Sequence, residues 1–324
     1  FILAGQIMNQ GGIARRLIAF AKALVGSLPG GLANVNIIGA MLFGAISGSA
    51  MAAVSAIGGT VGPRMEKEGY EKSYAAAVNI ASSTTGLVIP PSNILIVYSL
   101  ASGGVSIAAL FLAGYIPGML MGLGLMTVAS VYAIIKGYPR GNRESLITII
   151  KSFLDAAPSL LMLIIVIGGI VAGIFTATEA SGIAVLYTFL LSLFYKELTG
   201  KKIFQIAVNS VGTTAVVALL IGCSMSMSWT MAYADIPQAV TAGLLSISDK
   251  PIIILLLINL LLLAVGVFMD MTPAVLIFTP IFLPVVTSIG IDPVHFGIIM
   301  VMNLCIGLCT PPVGSVLFVG IGVA

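Results

Sequence analysis

Apolar residues run through this chain in blocks far longer than one face of a soluble helix requires, with polar residues gathered in short clusters between them. Hydropathy and Gly/Pro punctuation together predict the elements. A helix remnant covers 1–8 and a basic amphipathic stretch covers 12–28. Residues 34–66 are apolar but interrupted by "GAISGSA", and 72–103 are broken by Pro90 and Pro91. A long span at 106–136 precedes a polar, amphipathic stretch at 140–157. Spans follow at 158–175, 180–195 and 205–231, then a short amphipathic piece at 235–248. Residues 251–289 are interrupted by "MDMTPA" and 294–324 by "CTPPVG".

Several of these runs reach the roughly 20 residues that a bilayer-crossing helix needs. The period-two alternation of an outer-membrane barrel is absent. Composition agrees: 59% of residues are hydrophobic and 8% charged, with a mean hydropathy of +1.17, whereas soluble domains carry about 25% charge. The expected fold class is therefore an all-α polytopic membrane protein.

Two blocks match each other. In "TTGLVIPPSNILIV" (84–97) and "CIGLCTPPVGSVLFV" (305–319), Gly86 falls on Gly307 and Pro90 on Pro311, an offset of 221 residues from 90 to 311. The same shift lays "GAISGSA" near "FMDMTPA" and the amphipathic 12–28 on 235–248. An interrupted apolar stretch followed by a proline-broken helix thus occurs twice, in the same order, which marks an internal duplication.

Charge then orients the copies. If each interrupted stretch is a hairpin entering and leaving by one face, only Lys250 of the 14 basic residues lies on the outer side. That bias is what the positive-inside rule requires, and a full crossing at either stretch would abolish it. The first hairpin then opens to the cytoplasm and the second outward, so the repeats are inverted in topology, with two re-entrant hairpins and two discontinuous helices. By the same symmetry about 60–65 residues are expected before Phe1, and at least one helix after Ala324.

Inverted repeats with broken helices describe a secondary transporter whose site lies at the bilayer midplane. A broken helix presents carbonyls at one half-helix end and N–H groups at the other; the first suit a bare cation and the second an anion. Prolines stop the helix and glycines allow carbonyls to turn inward. Ser47, Ser49, Ser92 and Asn93 in the first copy, and Asp270, Thr272 and Thr310 in the second, supply side-chain oxygens. Each has a plainer reading alone. "SGSA" is also a helix-packing pattern, and Asp270 is also placed to cap the half-helix that follows or to sit near the surface, although an intramembrane carboxylate points to function. Glu179 reads as an N-terminal dipole partner, His295 as structural and Trp229 as an interfacial anchor.

Other signals subtract possibilities. A net charge of +3 gives no argument for nucleic acid. Cys223, Cys305 and Cys309 form no disulfide framework; Cys305 and Cys309 share a helix face and read as packing residues, a metal site being the rival. "ARRLIAF" lacks the cleavage site of a twin-arginine signal. There is no HExxH, no pair of intramembrane aspartates and no serine–histidine pair, so an enzyme is not expected. A channel would use no saturable site.

Five motifs, "GAISGSAMAAVSAIGG" (44–59), "GLVIPPSNILIVY" (86–98), "GIFTATEASGIAVLY" (173–187), "MDMTPAVLIFTPIFLP" (269–284) and "GLCTPPVGSVLFV" (307–319), stand in this order along the chain. Together they resemble the large membrane subunit of tripartite ATP-independent periplasmic (TRAP) transporters. One departure is Ala177, where many relatives have proline. The resemblance implies a sodium-coupled elevator importer of carboxylate-bearing solutes, such as dicarboxylates, sialic acid, other sugar acids or keto acids, in the bacterial inner membrane. Na+ would be the coupling ion, with no organic cofactor. It further implies a small membrane subunit and a soluble periplasmic binding protein as partners.

Carried onto this chain, 1–31 is a helix remnant and arm, 32–103 the first half of a transport domain and 104–231 the scaffold. Residues 232–250 form the second arm and 251–324 the second half. Sodium would lie among Ser47, Gly48, Ser49, Gly86, Pro90, Ser92 and Asn93, and among Asp270, Thr272, Gly307, Thr310, Pro311 and Gly314. The substrate carboxylate would sit near Ser47, Ser49, Asn93 and Thr272. The rival within this fold is a related sodium/carboxylate symporter that needs no binding protein.

Overall fold

The computed structural model describes residues 1–248 and 250–323, and every regular element among them is a helix. Short helix α1 (Ile2–Gln10) leads into α2 (Ile13–Val25), the basic amphipathic arm. Two helices, α3 (Gly31–Ser47) and α4 (Ala50–Lys67), are joined by Gly48 and Ser49 alone and pack along each other. That is the first hairpin. Its turn has a local cause: Gly48 ends α3 in the left-handed region (φ 60°), where a side chain is costly, and the Ser49 hydroxyl accepts from the Ala52 N–H to start α4.

The proline-broken stretch forms α5 (Lys72–Ser83), α6 (Thr85–Val88) and α7 (Asn93–Ala101), with a 51° bend across the prolines. The second copy repeats the plan. Hairpin helices α13 (Pro251–Phe268) and α14 (Met271–Ser288) are followed by α15 (Pro293–Leu308), a break, and α16 (Ser315–Val323). Both proline pairs carry a cis bond. Between the copies lie α8 (Ile107–Lys136), α9 (Leu146–Val171), α10 (Ala177–Phe194) and α11 (Gly200–Tyr233), then the second arm α12 (Ile236–Ile247). Among the described residues six helices are long and apolar enough to cross a bilayer.

The expected stretch at 140–157 is not a separate element. From Leu146 it is the first half of α9, which runs through Pro158 without a break. A single proline is tolerated inside a membrane helix, and the neighbouring α10 braces this one through the Tyr187 hydroxyl, which donates to the Pro158 carbonyl at 2.7 Å. Leu146, Ile147, Ile150 and Leu154 are all exposed, so the amphipathic pattern reflects one flank turned to an apolar medium. Helix α11 likewise extends past 205–231 at both ends. Glu179 does complete a capping box with Thr176 at the start of α10.

The copies interlock. Half-helix α7 packs on α14 of the other copy, and α16 packs on α4 and α5. The buried Tyr98 hydroxyl donates to the Pro293 carbonyl at 2.6 Å, 195 positions away. Cys305 and Cys309 pack against α5: their thiols point at the Thr84 and Ile80 carbonyls, at 3.5 and 3.6 Å. Helix α8 lies along α3, α5, α6 and α15. Helix α9 packs on α2 and α10, and α1 on α10 and α11.

Candidate functional site

In the first copy the hairpin tip sits directly on the helix break. A Cβ added to Gly48 would stand 2.8 Å from the Asn93 Nδ2 and 3.2 Å from the Asn93 backbone N, so the tip lies directly against the start of α7. Ser47 is buried beside them, its Oγ 3.4 Å from the Ser49 N–H. Ser92 precedes α7, and its hydroxyl donates to the Leu87 carbonyl. The proton is spent on the helix's own backbone, so the oxygen lone pairs remain free to accept. Gly86, Pro90 and Ser92 are buried, and Asn93 is half-buried.

The second copy makes the same junction with different atoms. Asp270 precedes α14 as Ser49 precedes α4, but its carboxylate caps nothing; it accepts the Ser315 hydroxyl at 2.9 Å across the break. The Gly314 N–H donates to the Val267 carbonyl at 3.0 Å, stitching break to tip. The Thr310 hydroxyl donates to the Ile306 carbonyl at 2.7 Å, so its lone pairs stay free to accept, as at Ser92. Thr272 stands half-buried in the first turn of α14, and Pro311 is exposed.

Two further devices recur. Gly44 of α3 crosses Gly86 so closely that a Cβ on Gly44 would come 2.6 Å from the Gly86 Cα. A Cβ on Gly307 would come 2.7 Å from the Gly266 Cα. Below each crossing an amide bridges hairpin and broken helix. Asn36 Nδ2 donates to Ser82 Oγ at 3.0 Å, and Asn303 Nδ2 donates to Asn259 Oδ1 at 2.8 Å. In both bridges the Oδ1 of the donating asparagine, Asn36 or Asn303, is buried without a partner.

The structure thus brings Ser47, Gly48, Ser49 and Asn93 into one group, with Gly86, Pro90 and Ser92 behind them. It gathers Asp270, Gly314, Thr310 and Gly307 into another, with Thr272 and Pro311 at its edge. Among the described residues no hydrogen bond joins the two groups. No set of three His, Cys, Asp or Glu residues that could hold a metal ion occurs among the described residues. The Asp292 carboxylate caps α15 on the Val294 and His295 N–H groups, and His295 itself takes no part in either group. Trp229 is exposed and stacked on Tyr233.

Sequence reasoning passed over the asparagine bridges and a glycine stripe on α8. Gly114 and Gly118 let α8 close over the first break; a Cβ on Gly114 would lie 2.5 Å from the Val88 carbonyl. Both carried a signal: small residues at four-residue spacing, and asparagines inside apolar helices at nearly the repeat offset.

These elements make a polytopic helical membrane protein in which a hairpin tip seats on an interrupted helix at two places. The family model for the tripartite ATP-independent periplasmic transporter, DctM component, matches residues 1–324, and the chain belongs to that family. It is a multi-pass inner-membrane protein, a large permease of secondary transport of organic acids. The chain is 59% identical to the uncharacterized protein YgiK of Salmonella typhimurium, over 99% of this chain and 74% of that one. It is 41% identical to the sialic acid TRAP transporter large permease protein SiaM of Vibrio cholerae, over 98% of this chain and 75% of the relative. The 2,3-diketo-L-gulonate TRAP transporter large permease protein YiaN of Escherichia coli is 37% identical, over 100% and 76%. Among solved structures, the Alcanivorax borkumensis YdaH transporter superposes with a TM-score of 0.63 at 12% identity, over 99% of this chain and 76% of that one, a likeness of fold alone.

Proposed function

We propose that this chain imports a carboxylate-bearing solute coupled to sodium, in an elevator cycle, with substrate delivered by a periplasmic binding protein and a small membrane subunit completing the complex. The observation that carries the reading is the paired tip-on-break junction. Ser92 and Thr310 present acceptor oxygens whose protons are already committed, and Asp270 adds a carboxylate at the second junction. Hard oxygen donors of this kind suit a small cation. Binding one would fix tip to break, lowering the ordering cost for a carboxylate bound between the tips near Ser47, Ser49, Asn93 and Thr272.

The moving body in this reading comprises 32–103 and 251–324, with α8 lying along it, and it slides against α9–α11. The sialic acid, C4-dicarboxylate and diketogulonate relatives support an organic acid as cargo. A fused DctMQ relative, an isethionate permease from Oleidesulfovibrio alaskensis, supports a requirement for the small subunit. The test is uptake into proteoliposomes holding the complete complex, with sodium and binding protein each supplied or withheld. Uptake is expected only with both. If sodium alone suffices, the binding-protein-independent symporter is correct.

A further inference from the structure

On the basic side of the molecule a cavity of about 190 Å³ opens where three elements meet: arm α2, the last turns of hairpin helix α4, and the start of α9. Its cationic lining comes from two different helices, Arg15 and Lys22 on α2 and Arg64 on α4. Arg15 reaches Glu197 at 2.9 Å, which occupies only part of its five-donor fork. Lys22 and Arg64 form no ion pair among the described residues, nor does Glu144, the one carboxylate on the rim. The Ser152 hydroxyl also lines the cavity and has no hydrogen-bond partner among the described residues. The floor is apolar, and its Ile18 is buried.

Cations drawn from separate helices into one small cavity repel each other unless an anion joins them. A charged rim over an apolar floor, beside an amphipathic helix on the positively charged membrane face, matches a phosphate diester whose acyl chains continue into the bilayer. We propose that this cavity binds the phosphate of an anionic phospholipid, held by Lys22, Arg64 and Arg15 with the Ser152 hydroxyl. The seated phosphate ties the base of the first hairpin to the arm and to α9. The site is separate from both tip-on-break junctions, and its occupation by lipid does not depend on which ion couples transport.

The test uses the complete complex in phosphatidylcholine nanodiscs doped with phosphatidylglycerol. Native mass spectrometry reads retained lipid, and thermal melting reads stability. Wild type is expected to retain phosphatidylglycerol and melt higher as its fraction rises. Lys22→Gln with Arg64→Gln should weaken retention about 10- to 30-fold, and Ser152→Glu, which keeps every cation, should expel the lipid. Lys196→Gln with Lys201→Gln removes the same charge outside the cavity and should retain wild-type behaviour. Equal losses in both double variants, or none in the cavity variants, overturn the site. If inorganic phosphate alone reproduces the shift in undoped discs, the phosphate site stands but lipid as its source is wrong.

Discussion

At the scale of single residues, Asp270 and Asn36 represent opposite uses of a polar group in an apolar setting. Asp270 is an exposed carboxylate with one hydrogen bond, so removing its charge should disturb binding more than stability. Asp270→Asn keeps an acceptor for Ser315. It is expected to raise the sodium concentration for half-maximal uptake by tenfold or more while the melting temperature of the complex stays within a degree or two. An unchanged sodium dependence would remove Asp270 from the cation site. Asn36 is 1% exposed and holds a bridge. Asn36→Leu removes the donor to Ser82, whose hydroxyl keeps only its own bond to the Asn79 carbonyl, and should cost about 1–3 kcal/mol, read as a lowered melting temperature; Asn303→Leu should cost less, because that site is only half-buried. Of these residues the sequence declared Asp270, because a carboxylate in a hydrophobic run is rare. Asparagine carries no charge, and its role depends on a partner over 40 residues away. Only the fold names that partner.

At the scale of elements, most helices follow from punctuation. The break at Pro90–Ser92 and the turn at Gly48 were legible because proline and glycine act locally, and the positions of α3, α4, α13 and α14 followed. The misreading of 140–157 has the opposite cause. Amphipathicity there comes from which flank faces lipid, and hydropathy alone cannot tell an interfacial arm from the polar end of a spanning helix. The close glycine crossings were half-visible: Gly86 and Gly307 aligned, while their partners Gly44 and Gly266 required the packing. Gly44→Ala drives a methyl into the Gly86 backbone, where neither chain can yield like a side chain. Uptake is expected to fall at least tenfold, with a lowered melting temperature of the complex. A wild-type melting curve would mean that the crossing is looser than it stands here.

At the scale of the whole molecule, the first tip also touches its surroundings. Helix α1, packed with α10 and α11, brings Gly5 against the tip, where an added Cβ would lie 2.9 Å from the Ser47 carbonyl. Gly5→Leu should hold the tip away from α1 and slow uptake at least tenfold. Assembly with the small subunit, followed by co-purification, should be unaffected. Normal uptake in that variant would show that this contact is not part of the transport cycle.

The crosswise packing of α7 on α14 and α16 on α4 carries a consequence for how the chain is made. The contact from Tyr98 to Pro293 spans 195 positions, so at about 5–20 residues per second the ribosome needs about 10–40 s to deliver the partner. Through that interval the first hairpin and its severed helix must wait in the membrane with their permanent neighbours still unsynthesised and their unwound backbone uncovered. The amide bridge from Asn36 to Ser82 and the glycine stripe of α8 are made from residues already translated. With the Asn79 amide on the Val54 carbonyl and the Tyr74 hydroxyl on the Ala129 carbonyl, they are among the contacts available to shelter the first half until the second arrives.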